Sequence, residues 1–149
     1  MKYTETERKF LVEGDFKSSV NGSYHIVQGY LCRDPERTVR IRIRDNQGFI
    51  TVKGLGSDGG MTRFEWEKEI SRDEAEALLH LCLPGVIDKT RYLADFGGHT
   101  FEIDEFHGAQ QGLVLAEIEL NAADEAFEKP SWLGREVTGD PQYYNSNMG

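Results

Sequence analysis

The sequence predicts a mostly β chain of the α+β kind: an eight-stranded antiparallel barrel closed into a tunnel, with a charged interior and a few helices packed outside. Three observations predict it. Eight short segments rich in β-branched and aromatic residues are separated by turn chemistry rather than by linkers. Helix signals are few by comparison. Seven of the segments alternate apolar residues with charged ones of both signs.

In chain order the strand candidates are 3–12, 24–31, 37–44, 49–53, 62–70, 89–95, 99–106 and 113–120. Asp45-Asn46-Gln47-Gly48 and Phe96-Gly97-Gly98 read as hairpin turns. The glycine-rich run 54–60 reads as a tunnel lip. It lacks the Lys-Ser/Thr ending of a P-loop, so it is no phosphate cradle of that type. Ser71-Arg72-Asp73-Glu74 is a capping box that opens a helix to about Cys82, with Ala75, Leu78, Leu79 and Cys82 on one face. Asn121 caps a second expected helix, 122–128, that stops before Pro130. Weaker helical patterns cover 14–20 and 141–147. There is no internal repeat, no low-complexity tract and no Pro/Ser-rich linker. At 149 residues the expectation is one domain over 1–149.

Lys and Arg number 17 against 26 Asp and Glu, a net charge of −9. An acidic chain is a poor match for nucleic acid, which needs a basic surface. The sum hides an asymmetry. Residues 1–53 carry ten bases and seven acids, whereas 104–149 carry two bases and nine acids. No run approaches a membrane span, and Met1-Lys2-Tyr3-Thr4-Glu5 has no apolar signal core, so a cytoplasmic location is expected. Cys32 and Cys82 make no disulfide framework, and the four histidines lack metal-ligand spacing.

The alternation carries the functional signal. Glu5, Glu7 and Lys9 share a face of the first strand. Arg40, Arg42 and Arg44 lie opposite Val39, Ile41 and Ile43. Lys53 is out of phase with Ile50 and Val52. Arg63, Glu65, Glu67 and Glu69 alternate with Phe64, Trp66 and Lys68. Lys89 and Arg91 follow. Glu102 and Asp104 then stand against Phe101 and Ile103, and Glu117 and Glu119 against Ala116, Ile118 and Leu120. On a single strand this pattern is a solvated face. Repeated on seven, it fits a closed barrel whose apolar residues point outward under helices and whose charges line the lumen. Buried charge is costly without compensation. Acids and bases neutralising one another, or water, offer one solution. A polyanion with a divalent cation offers a more specific one: Arg and Lys on phosphate oxygens, clustered carboxylates on Mg²⁺ or Mn²⁺. An apolar-ligand carrier would need an apolar lumen, which this pattern opposes.

Glu5-Thr6-Glu7-Arg8-Lys9 resembles the E-x-E-x-K signature of the CYTH family, the triphosphate tunnel metalloenzymes. The rest agrees in order: Arg40-Ile41-Arg42, Lys53-Gly54, Arg63-Phe64-Glu65-Trp66-Glu67, Lys89-Thr90-Arg91-Tyr92, Glu102-Ile103-Asp104 and Glu117-Ile118-Glu119-Leu120. The tail, Gly134 to Thr138 and Tyr144 to Asn147, looks like that of short bacterial members associated with inorganic triphosphate. The resemblance implies an eight-stranded tunnel and metal-dependent hydrolysis of a triphosphate, most simply inorganic triphosphate to diphosphate plus phosphate, with Mg²⁺ or Mn²⁺. It implies metal binding by Glu5, Glu7, Glu117 and Glu119, with Asp104 added to that set. It implies substrate binding by Lys9, Arg40, Arg42, Lys53, Arg63, Lys89 and Arg91, and makes Glu65, Glu67, Glu102 and Asp104 further tunnel acids. Catalytic roles are expected for Glu65, Glu67 and Lys89, with the attacking water aimed either by a carboxylate such as Glu65 or Glu67 or by a second metal ion. Family alternatives are class IV adenylyl cyclase and nucleoside or thiamine triphosphatase. An alternative of another class is a module that binds polyphosphate or nucleotide without cleaving it. The expected partner is a small triphosphate, with no nucleic acid and no membrane. Oligomeric state is left open, a homodimer included.

Overall fold

The computed structural model describes residues 3–148; Met1, Lys2 and Gly149, the ends of the expected domain, lie outside the described residues. The eight expected strands are present: β1 (Thr4–Val12), β2 (Gly22–Cys32), β3 (Arg37–Arg44), β4 (Gln47–Gly54), β5 (Thr62–Ile70), β6 (Ile87–Phe96), β7 (His99–Phe106) and β8 (Val114–Glu119). All pairings are antiparallel, in the order β5-β4-β3-β2-β6-β7-β8-β1, and β5 pairs with β1 to close the ring.

The closing seam is short. Among the described residues, Thr4, Glu5 and Thr6 of β1 pair with Phe64, Arg63 and Thr62 of β5, and the Glu65 N–H to Tyr3 O and Glu7 N–H to Met61 O bonds carry the seam one residue further at each end. Beyond them the same edge of β1 is taken by a ninth strand, β9 (Leu133–Glu136), which pairs with Phe10 and Val12. This strand was not expected. It forms because β5 begins at Thr62, opposite Thr6, and leaves the far half of that β1 edge unpaired, an arrangement that invites another backbone.

Alternation builds the two faces. Ile41 and Ile43 on β3 point outward and pack on Ala75, with Ile50, Ile70, Leu78, Leu79 and Cys82 around them. The covering helix, α1 (Arg72–Leu79), starts on the expected capping box. Ser71 Oγ accepts from the Glu74 backbone N–H at 3.0 Å, and Glu74 Oε1 accepts from the Ser71 N–H at 3.0 Å. The helix stops at Leu79, short of Cys82. Its close approach to β4 depends on Gly48, where an added Cβ would stand 2.7 Å from Ser71 O and 2.8 Å from the Ala75 Cβ. The β6–β7 hairpin turns through Gly97 and Gly98 at φ +58° and +81°, as expected for a tight turn.

A second outer layer covers β1, β6, β7 and β8, where Phe10, Phe101, Ile103, Ile118 and Trp132 pack together. Residues 122–128 contribute to it without forming the expected helix. Phe127 packs edge-on against Phe10 and Phe101, and the Glu125 carboxylate is held by His99 and the Asn121 N–H. These contacts fix an irregular path that a helix would not satisfy. The helical patterns at 14–20 and 141–147 resolve into 3₁₀ turns at Lys17–Ser19, Pro141–Tyr143 and Asn145–Asn147. Phe64 faces outward and is 46% exposed, with its ring centroid 6.1 Å from that of Tyr3. Cys32 and Cys82 are free and half-buried.

The inward rows do not stay charged along their whole length. Leu11 follows Lys9, Ile87 precedes Lys89, Phe106 follows Asp104 and Leu115 precedes Glu117. These residues cluster with Val137 and Met148 of the C-terminal segment. One end of the lumen is therefore filled by apolar side chains and the tail. The charged zone lies between this plug and the glycine-rich lip.

Candidate active site

The charged zone encloses a cavity of about 540 Å³. All seven expected substrate-binding bases line it: Lys9, Arg40, Arg42, Lys53, Arg63, Lys89 and Arg91. So do Glu5, Glu7, Glu117 and Glu119 from the expected metal set, and Glu65 and Glu67. The β1–β8 register sets Glu7 opposite Glu119 and Lys9 opposite Glu117. The strand period of two then carries the row along β1 to Glu5.

Asp104 sits elsewhere. It is 1% exposed and does not reach the cavity wall. Its Oδ2 accepts from Lys89 Nζ at 2.7 Å and from Arg91 Nη2 at 2.9 Å, while Oδ1 accepts from Arg91 Nε at 2.7 Å. The carboxylate is consumed by two bases beneath the lumen surface, which sets it apart from the four glutamates grouped with it from sequence.

The other acids and bases also meet. Lys53 Nζ lies 2.9 Å from Glu5 and 3.3 Å from Glu65. Arg40 lies 3.5 Å from Glu67, which also accepts from Thr51 Oγ1 at 2.7 Å. Arg63 donates to the Gly54 carbonyl at 3.0 Å, tying the lip to β5. Arg44, left outside the expected set, reaches the rim over the Tyr24 and Phe49 rings. One donor is left over, however: among the described residues the buried Arg40 Nε has no hydrogen-bond partner.

Burial, then the neighbouring Glu117 carboxylate, pushes the Glu7 carboxyl well above the usual range. Burial likewise raises Glu5, against the pull of Lys53, and raises Glu119, with Glu5 and Glu102 adding repulsion. Burial opposes ionisation of Glu117 too, but Lys9, the Glu7 hydrogen bond, Arg91 and Lys89 together hold it well below the usual range. On the other wall, burial followed by repulsion from Arg40 and Arg91 brings Arg42 down to about 9. Burial also brings Lys89 down to about 7, because Asp104 does not offset it while Arg91 and Arg42 repel. Lys53 goes the other way: burial is outweighed by Glu7 and Glu5, and it rises to about 12. Glu5, Glu7 and Glu119 are thus short of positive charge and Arg42 and Lys89 short of negative charge, whereas the burial of Arg91 is outweighed by Asp104, Glu102 and Glu117, which hold it well above its usual range.

Among the described residues, no three acidic, His or Cys side chains already converge into a metal cage. The donor set still fits a small hard cation. It is all carboxylate oxygen, and its members repel one another. Mg²⁺-like ions are commonly held by one or two carboxylates, with substrate phosphates and water completing the shell.

A closed antiparallel barrel lined by an anion-seeking wall and a cation-seeking wall defines a class of protein, a tunnel built for a polyanion accompanied by a metal ion. The chain belongs to the CYTH domain family, whose model matches residues 3–144. It is 47% identical over 145 residues to the inorganic triphosphatase of Acetivibrio thermocellus, spanning 97% of this chain and 92% of the relative. It is 37% identical over 151 residues to the inorganic triphosphatase of Nitrosomonas europaea, spanning 97% and 96%. A crystal structure of an inorganic triphosphatase superimposes with a TM-score of 0.67 at 33% identity, covering 95% of this chain and 91% of the other. No helix among the described residues is long and apolar enough to cross a membrane.

Proposed function

We propose that this protein is a divalent-metal-dependent inorganic triphosphatase that hydrolyses triphosphate to diphosphate and phosphate inside the tunnel. The observation that carries the reading is the convergence of seven expected bases and six expected glutamates on one cavity inside a closed barrel. The names of the relatives at 47% and 37% identity support the substrate.

Phosphoryl transfer needs positioning and charge neutralisation more than covalent chemistry. Arg42, Lys89 and Arg91 on one side and Lys9, Arg40, Lys53 and Arg63 around the lumen hold the phosphate oxygens and offset the charge that builds on them. Glu5, Glu7, Glu117 and Glu119 are the residues that would hold Mg²⁺ or Mn²⁺. When bound, the ion supplies positive charge to the phosphate oxygens. Glu65 and Glu67 line the lumen, and in this reading one of them orients a water toward the terminal phosphorus. The water oxygen bonds to phosphorus as the bond to the bridging oxygen breaks; the new phosphate keeps one water hydrogen, the other passes as a proton to a product phosphate oxygen, and diphosphate leaves. Asp104 holds Lys89 and Arg91 and does not join the metal set in this reading.

The test is a phosphate-release panel with Mg²⁺ and with Mn²⁺, covering inorganic triphosphate, ATP, thiamine triphosphate and longer polyphosphate. Inorganic triphosphate turned over fastest, with diphosphate and phosphate as products, is the expected result. Cyclic AMP from ATP, a preference for an organic triphosphate, or binding without turnover would overturn the assignment. Arg42→Ala in the same assay is expected to lower kcat/KM about 10- to 100-fold, the scale of one lost charge-assisted hydrogen bond.

Lys89 gives a pH prediction. With its ligand-free value at about 7, it is already protonated well below that pH and mostly neutral well above it. A polyanion in the lumen favours the charged form and raises the value. Triphosphate binding in EDTA is therefore expected to take up close to about one proton well above pH 7 from this group, and little from it well below. The slope of calorimetric binding enthalpy against buffer ionisation enthalpy measures it. Uptake that does not grow with pH would contradict the assignment of Lys89 to the phosphate wall.

A further inference from the structure

Gln28 on β2 is 0% exposed, yet its amide sits among bases rather than apolar side chains. Its Oε1 accepts from Arg42 Nε at 2.9 Å, and its Nε2 donates to Asn145 Oδ1 at 3.1 Å. The same Asn145 oxygen accepts from Lys89 Nζ at 3.0 Å. Lys89 and Arg91 then share Asp104. Six side chains form one continuous run from Arg42 to Arg91.

The chemistry fixes how both amides point. Arg42 and the protonated Lys89 only donate hydrogen bonds, so each must meet an amide oxygen. Gln28, with its oxygen on Arg42, presents its nitrogen outward, and Asn145 must answer with its oxygen. Turning either amide over would set N–H against a cation. Asn145 belongs to the C-terminal segment, which is fastened on both sides of it: Tyr143 O accepts from Lys9 Nζ at 3.0 Å, and Met148 is buried in the apolar plug.

Neutral amides suit this position for an electrostatic reason. Arg42 and Lys89 need acceptors to be held in place, but a carboxylate in either location would cancel the charge that attracts an anion. An amide oxygen holds the cation and leaves its charge uncancelled. We infer that Gln28 and Asn145 are positioning residues that order Arg42 and Lys89 without neutralising them, and that the C-terminal segment is thereby part of the triphosphate site. The inference rests on the triphosphatase reading above.

The variants Asn145→Ala, Asn145→Asp, Gln28→Leu and the double Gln28→Leu/Asn145→Ala separate this from a packing role. The measurements are kcat and KM for inorganic triphosphate, its affinity by calorimetry in EDTA, and thermal unfolding. Asn145→Ala is expected to lose about 10-fold or more in kcat/KM. Asn145→Asp keeps the acceptor for Lys89 but adds a negative charge. It is expected to bind triphosphate at least as poorly as the Ala variant, with its unfolding temperature unchanged or raised. The double variant is expected to lose no more than the worse single one, as members of one chain do. An Asn145→Asp variant that binds triphosphate as tightly as the unmodified protein would overturn the inference, as would single losses that multiply in the double. If Gln28→Leu does not fold, the two Asn145 variants decide. Unmodified protein that binds triphosphate without cleaving it would sink the hydrolase reading alone, because the affinity comparison still stands.

Discussion

Replacing Glu7 by Gln is expected to lower triphosphate turnover by about a thousandfold or more while making the ligand-free protein more stable. The two effects share one cause. Glu7 is buried beside Glu117, and its carboxyl is raised well above the usual range, first by burial and then by that neighbour. Gln is nearly isosteric with the protonated acid and keeps an N–H for the hydrogen bond to Glu117, so the resting lumen tolerates it. What it cannot supply is the second negative charge that makes this wall a cation site. The sign of the pH effect follows. A carboxyl raised in the folded state binds more protons folded than unfolded, so stability falls as pH rises above the unfolded value of about 4.5 and through the raised one. Glu7→Gln removes that decline. Thermal unfolding in EDTA across this range measures it, and the same experiment with Mg²⁺ or Mn²⁺ should show metal stabilisation in the unmodified protein but not in the variant. A variant that keeps both turnover and metal stabilisation would remove Glu7 from the metal wall.

The barrel was legible because its alternation is unusual. Arg40-Ile41-Arg42-Ile43-Arg44 leaves no doubt about which residues share a face, and the same holds for Glu117-Ile118-Glu119. The seven bases and six glutamates assigned roles from the sequence all line the cavity, but so do Arg33 and Arg44, which were not in that set, and Asp104 does not. Phase puts Asp104 on the inward row, but depth along that row is a tertiary quantity, and the register setting Arg91 opposite Asp104 is not written in either strand. β9 was illegible for a different reason. Leu133-Gly134-Arg135-Glu136 has no period, and it becomes a strand by pairing with the part of the β1 edge that β5, which begins opposite Thr6, does not reach. Residues 122–128 carried a local helix signal that Phe127 and Glu125 override through contacts with β1 and β7. Gln28 and Asn145 escaped because a pattern of charges is blind to neutral amides. The available hint was a polar residue on an inward row of β2 between Ile26 and Tyr30.

Asp104→Asn separates two readings of that residue by their opposite consequences. If Asp104 held metal, its loss would weaken metal binding and spare the fold. In the structure it instead compensates Lys89 and Arg91 below the lumen surface, and Lys89 is itself only 1% exposed. Removing one partner of a buried ion cluster leaves uncompensated charge, which typically costs about 3–5 kcal/mol. For a chain of this size that is a fall of about 10 °C in unfolding temperature. Burial opposes ionisation of Asp104, but Arg91 and Lys89 overcome it and hold its carboxyl well below the usual range. Its contribution is therefore complete above the unfolded value near 3.8 and lost as pH falls through the folded one, so the gap between the two proteins should be widest near neutrality and close in acid. Triphosphate should narrow the gap near neutrality, because its oxygens bring negative charge to the same two bases. The rise in unfolding temperature on adding triphosphate in EDTA is thus expected to be larger for the variant than for the unmodified protein. A variant of unchanged stability that has lost metal affinity would return Asp104 to the metal set and leave Lys89 and Arg91 without a structural anchor.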